Sequence, residues 1–118
     1  MEQDKGRLII VGGGSLAMEL VTWIIHSNIY KNVNRRLFFL DDKVSNDFYI
    51  NKIEIKYLGK INSILPKDDD KFFLGIADPN IKSKVVKFFD EKKVNFCSFV
   101  HPTAIIAENS EIGRGCLL

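Results

Sequence analysis

Three consecutive glycines, Gly12 to Gly14, separate two apolar segments in RLIIVGGGSLAMELVTWII (7–25). No other feature of the chain constrains its fold as strongly. Leu8 to Val11 is short and rich in β-branched residues, which reads as a buried strand. Ser15 to Ser27 reads as a helix, because its polar positions Glu19, Thr22 and His26 stand three and four apart and leave one narrow wet stripe. Leu16, Leu20, Trp23 and Ile24 form the face expected to pack on a sheet. A strand, a glycine turn and a helix in that order form the opening of a βαβ unit.

Gly12-Gly13-Gly14-Ser15-Leu16-Ala17 fits the pattern G-x-G-x-x-A, which is associated with dinucleotides. Each position has a physical reason. Gly12 permits the tight strand-to-helix turn. Gly14 lets backbone N–H groups approach an anionic oxygen, and Ser15 opens the helix whose N-terminus carries a partial positive charge. Ala17 lets the helix sit close on the strand. The simpler alternative is a packing turn that holds no ligand.

The next segments repeat the rhythm. RLFFLDD gives a strand over Arg36 to Leu40, ending in Asp41 and Asp42. An acid at the end of a second strand can accept hydrogen bonds from ribose hydroxyls. VSNDFYINK (44–52) reads as a loop, and IEIKYLG, alternating at Ile53, Ile55 and Tyr57, as a third strand near an edge. KINSIL (60–65) suits a short helix, and Phe72 to Ile76 a fourth strand. Asp78-Pro79 is a strong helix start, with Asp as N-cap and Pro at the first helical position; Ile81, Val85, Phe88 and Phe89 then recur at helical spacing. VNFCSFV (94–100) reads as a fifth strand. The expected fold class is α/β, a small Rossmann-like parallel sheet with flanking helices. Room for only about five strands makes it small for a dinucleotide fold. Phosphate and ribose are common to NAD and to UDP-sugars, so the turn leaves the ligand open between them.

From Val100 the rhythm changes to VHPTAI, IAENSE and IGRGCL. Each six-residue unit opens on a branched aliphatic and carries a small residue near its fifth place: Ala104, Ser110 and Cys116. Such a period marks a β-helix, and three units make one coil. One coil cannot bury its own inward-facing aliphatics. The expected organisation is a Rossmann-like domain over 1–99 and the first coil of a left-handed β-helix over 100–118, as in a protein cut short at Leu118.

Composition excludes several classes. Of the 118 residues 46% are hydrophobic and 27% charged, which suits a soluble globular unit. Seventeen basic and 15 acidic residues leave a net charge of +2, too balanced to suggest a nucleic-acid partner. The polar N-terminus suggests no signal peptide, no apolar stretch is long enough for a membrane span, and Cys97 and Cys116 lack metal spacing. Reduced cysteines and a cytoplasmic location are expected. Asp68 to Asp70 reads as a polar turn rather than a metal site, His26 as a surface residue, and His101 as a structural or capping residue at the junction. The phenylalanines read as core.

The order of the parts resembles the bacterial sialic acid O-acetyltransferase and UDP-4-amino-sugar N-acetyltransferase family of sugar acyltransferases. The segments that carry the resemblance are IIVGGGSLAMEL, FFLDD, FFLGIADPNIKSKVV and HPTAIIAENSEIGRG. The resemblance implies that the N-terminal domain binds the UDP part of a UDP-linked amino sugar in bacterial surface-glycan biosynthesis. The implied substrate-binding set is Gly12, Gly13, Gly14, Ser15, Asp41, Asp42, Gly75, Ile76 and Ala77. It also implies acetyl-CoA as co-substrate, bound mostly outside this chain between subunits of a homotrimer. The catalytic histidine would lie in later coils, so no catalytic residue and no metal is expected here, and this chain alone is expected to be inactive. The chain departs from the family where Ser15 and Leu16 replace a glycine and a histidine, Ala77 a glycine, and Lys82 an arginine. The other function classes kept open are a stand-alone nucleotide-sensing module and a fragment of an NAD-dependent oxidoreductase.

Overall fold

The computed structural model of the chain describes residues 6–27, 33 and 36–97. In chain order they form β1 (Leu8–Val11), α1 (Ser15–Ser27), β2 (Leu37–Leu40), β3 (Phe48–Ile50), β4 (Ile53–Gly59), a 3₁₀ turn (Ile61–Ser63), β5 (Lys71–Leu74) and α2 (Pro79–Glu91). The sheet has the order β3-β4-β2-β1-β5. β1 runs parallel to β2 on one side and to β5 on the other, β4 runs parallel to β2, and β3 is antiparallel to β4. Past β5, Phe96 makes an isolated parallel bridge to Phe72, and the Cys97 N–H donates to the Phe72 carbonyl at 2.7 Å. The expected fifth strand is represented by this bridge. Its residues 98–100 and the hexapeptide segment 100–118, with His101, lie outside the described residues.

The sheet is a middle layer because β1 is apolar on both faces. Leu8 and Ile10 join the core cluster under α1, and Ile9 and Val11 join the one under α2. All four are fully buried. Strand side chains alternate between faces, so a fully apolar strand needs cover on both sides. Truncating one such residue to alanine costs about 2–5 kcal/mol.

α1 buries Ala17, Leu20, Val21 and Ile24 and exposes Glu19 and His26. Leu16 and Trp23, expected in the core, are only half-buried. The small Ala17 lets the helix settle on that side, which turns the larger Leu16 outward. α2 starts as its sequence suggested. One oxygen of Asp78 accepts from the N–H groups of Asn80 and Ile81 at 2.9 and 3.3 Å, and Pro79 occupies the first position. Val85 and Phe89 are buried, whereas Ile81 is exposed. The helix ends with Val94 N–H on the Phe89 carbonyl and Lys93 N–H on the Asp90 carbonyl, both at 3.0 Å. This is a Schellman arrangement with Lys93, at φ +60°, in the left-handed position usual for glycine.

Two segments differ from the sequence expectation. VSNDFYINK contains β3, paired to β4 through a two-residue turn at Asn51 and Lys52, both with positive φ. Asn-Lys stands where Asn-Gly would have signalled the hairpin. KINSIL forms only the 3₁₀ turn.

The amino ends of the strands are tied by polar contacts. Arg7 grips Asp70 with two bonds, Nε to Oδ1 at 2.8 Å and a terminal nitrogen to Oδ2 at 2.7 Å. The Asp70 side chain is fully buried, and Oδ2 also accepts the Lys67 N–H at 2.8 Å. The hydrogen bond to Asp70 raises the Arg7 guanidinium above its ordinary range. Buried Arg36 donates Nε to the Gly6 carbonyl at 2.6 Å.

Candidate functional site

The topology fixes where a crevice must open. From β1 the chain builds outward through β2 to β4, then returns to place β5 on the other side of β1. The segments leaving β1 and β5 therefore diverge at their carboxyl ends, α1 over one face and α2 over the other. Open α/β sheets carry their crevice at this switch point. Here it is a cleft of about 500 Å³.

Every residue of the sequence-derived binding set lines the cleft. Gly12, Gly13, Gly14 and Ser15 come from the β1–α1 turn, Asp41 and Asp42 from the end of β2, and Gly75, Ile76 and Ala77 from the end of β5. Sequence reasoning missed Leu16, which it placed on the sheet-packing face, and Lys43, Ile61, Asp78, Ile81, Lys84 and Val85 as lining residues. Ile81, Lys84 and Val85 follow helical spacing from the Asp78 cap, and extending that pattern toward the carboxyl edge would have found them. Ile61 depends on the 3₁₀ turn and had no signal. Lys82 does not line the cleft; the cation that α2 contributes is Lys84.

The glycines divide by role. Gly12 has φ +125°, and a Cβ there would lie 2.6 Å from the Gly75 carbonyl oxygen, so conformation and space both require glycine. A Cβ on Gly75 would lie 3.0 Å from the Cα of Ala17, which fixes how closely α1 approaches the loop after β5. A Cβ on Gly14 would meet nothing within 4 Å. Packing therefore does not require glycine at position 14, and the space beside it belongs to the cleft.

The turn's donors are partly committed. Gly12 N–H donates to the Leu40 carbonyl at 2.7 Å, and Gly13 N–H to Asp41 Oδ1 at 3.0 Å. The N–H groups of Gly14, Ser15 and Leu16 meet no acceptor among the described residues. No acid stands in the first turn of α1, so its N-terminus is open. The α2 N-terminus, on the opposite wall, is closed by Asp78.

The acids divide too. Asp41 accepts from Gly13 on one oxygen and from the N–H groups of Lys43 and Val44 on the other, at 2.9 and 2.7 Å. It therefore braces the cleft with its whole carboxylate. Asp42 Oδ1 accepts the Ile61 N–H at 3.1 Å, while Oδ2 accepts nothing among the described residues. Leu16, Ile61, Ile76, Ile81 and Val85 supply an aliphatic lining, with no aromatic ring among the lining residues. The arrangement suits a flat apolar group between aliphatic walls beside an anionic group at the open helix end.

Among the described residues no group of three His, Cys, Asp or Glu side chains could hold a metal ion. Among them, too, no helix is long and apolar enough to cross a membrane. Asp70 of the acidic run is held by Arg7. His26 lies exposed on α1, away from the cleft lining. Burial pushes the half-buried Cys97 thiol above its ordinary range.

Two solved structures of the acetyltransferase domain of PglB from Neisseria gonorrhoeae FA1090 are similar to this chain in fold. The one in complex with acetyl coenzyme A is 18% identical, with a TM-score of 0.74 over 94% of this chain and 51% of that chain. The other is 16% identical, with a TM-score of 0.75 over 94% and 52%. The chain thus spans about half the length of the structures it matches. No protein-family model and no curated protein matches the chain. The chain shares the fold of part of an acetyltransferase domain.

Proposed function

We propose that this chain is the nucleotide-sugar-binding part of an acetyl-CoA-dependent sugar N- or O-acetyltransferase of bacterial surface-glycan biosynthesis. The observation that carries the reading is the convergence of the β1–α1 turn, the end of β2 and the end of β5 on one cleft at the switch point. The fold likeness to an acetyltransferase domain, solved in one case with acetyl coenzyme A, supports the reaction class. The sequence resemblance to UDP-amino-sugar acetyltransferases supports the ligand.

In this reading Gly12 to Ser15 face the diphosphate, and Asp42, with an oxygen unused by the protein, accepts a hydrogen bond from the nucleoside. Gly75 to Ala77 and the aliphatic walls hold the flat base. Acetyl-CoA would supply the acetyl group: a sugar amine or hydroxyl would form the new amide or ester bond as the thioester C–S bond breaks and coenzyme A leaves as its thiol. The residues that hold it, and the general base, belong to the β-helix expected from 100 onward. The chain's own contribution is orientation, binding energy from the remote nucleotide being used to position the reacting group. It acts in the cytoplasm as one protomer of a trimer.

The rival NAD reading needs an acid at the end of β2 free to take ribose hydroxyls. Asp41 has that position with its carboxylate occupied by three backbone N–H groups, whereas Asp42 beside it keeps an oxygen for a ribose hydroxyl of either ligand, so the choice between the two falls to titration. Calorimetric titration of the purified chain with UDP, a UDP-amino-sugar and NAD tests the assignment. UDP and its sugar bind more tightly than NAD; binding of NAD without UDP overturns it.

A further inference from the structure

The cleft has an electrostatic imbalance that its glycines and aliphatics do not resolve. Three carboxylates line it, Asp41, Asp42 and Asp78, against two cations, Lys43 and Lys84. A polyanionic ligand would be repelled unless its charge were met directly. Asp41 and Asp78 are hydrogen-bonded to backbone N–H groups, Asp78 to those of the α2 N-terminus. That removes α2's end as an anion site and leaves the α1 end and the two lysines. Neither lysine pairs with a carboxylate among the described residues.

The lysines come from different walls. Lys43 follows the β2 acids, and Lys84 stands on α2 between the apolar lining residues Ile81 and Val85. Lys82, Lys84 and Lys87 are all exposed on this helix, and of the three only Lys84 lines the cleft. One lysine is thus set on an otherwise apolar helix face, in the cleft that the open end of α1 also lines. A lysine stem lies well along aliphatic surface while its ammonium reaches outward.

We infer that Lys84, together with Lys43, takes the charge of a diphosphate and makes the cleft prefer a nucleoside diphosphate to the monophosphate. The inference rests on the nucleotide reading above and adds to it the residues that count phosphates. A monophosphate held at the α1 end needs only the turn's N–H groups. The second phosphate, lying farther out between the walls, needs the lysines, because the nearby carboxylates disfavour it.

The test is calorimetry of the chain with UDP and with UMP, in the wild type and in Lys84→Met, Lys43→Met and Lys82→Met, with thermal melting to confirm folding. Wild type prefers UDP. Lys84→Met and Lys43→Met each lower UDP affinity about tenfold and UMP affinity about twofold or less, as expected for loss of a charge-assisted contact. Lys82→Met, which removes the same charge from the same helix, changes neither. An unchanged UDP-to-UMP ratio in Lys84→Met overturns the inference and leaves the nucleotide reading standing. An equal loss in Lys82→Met shows a diffuse field and also overturns it. A wild type that binds neither nucleotide overturns the reading and the inference together.

Discussion

The backbone N–H of Gly13 donates to the carboxylate of Asp41 at 3.0 Å, across 28 residues of sequence. One bond joins the turn after β1 to the end of β2, and the other oxygen of Asp41 holds the turn at Lys43 and Val44. The cleft is therefore shaped before any ligand arrives.

Asp41→Ala removes the acceptor of three N–H groups at once. Each lost partner costs on the order of 1 kcal/mol at a partly exposed site, so the domain loses about 2–3 kcal/mol. Urea unfolding measures this. Asp42→Asn, which keeps an oxygen for the Ile61 N–H, changes stability by less than about 1 kcal/mol but weakens UDP binding. A larger stability loss in Asp42→Asn than in Asp41→Ala would reverse the two roles.

Gly12 and Gly14 are expected to respond oppositely to a side chain. Gly12→Val forces a Cβ against the Gly75 carbonyl at positive φ and destabilises by about 3 kcal/mol or more. Gly14→Val enters open space, so the fold survives while nucleotide binding is lost. Melting curves and titrations on both variants separate the outcomes. Unchanged affinity in Gly14→Val would make the turn a packing device only.

Lys93→Gly is expected to stabilise the chain. The left-handed φ of Lys93 at the end of α2 strains a side-chain-bearing residue by about 1 kcal/mol, which glycine relieves. The melting temperature rises by about 4 °C. No rise would show that Lys93 makes a compensating contact.

Breaking the Arg7–Asp70 pair on one side is worse than replacing both partners. Arg7→Met alone strands a buried carboxylate and costs about 2–3 kcal/mol, whereas Arg7→Met with Asp70→Leu costs less. A double-mutant cycle in urea gives the coupling directly. Additive losses would mean that the pair contributes nothing specific.

Much of the domain was legible because β1, α1 and α2 announce themselves by period and by caps. Leu8 to Val11 is apolar on both faces, and Asp78-Pro79 marks its helix without ambiguity. That the glycines and acids at the strand ends line one cleft was legible because they follow β1, β2 and β5, whose carboxyl ends meet at the switch point. β3 was hidden because a three-residue strand has no period to read and its turn carries lysine in place of glycine. Lys84 was hidden because which face of α2 meets the crevice depends on how the helix packs, through Val85 and Phe89, against the sheet. That Asp41 is a brace also depends on geometry, since its identity suits a ligand equally well.

The close stacking of Gly12 on Gly75, and of Gly75 on Ala17, makes the floor of the cleft a contact of main chain with main chain. Its contour is thus decoupled from the identity of most side chains. Substitutions at Leu16, Ile61, Ala77 or Lys84 would change what the walls attract while the floor keeps its form. Selectivity in this chain is then retunable one wall residue at a time, whereas positions 12, 17 and 75 can change only in concert.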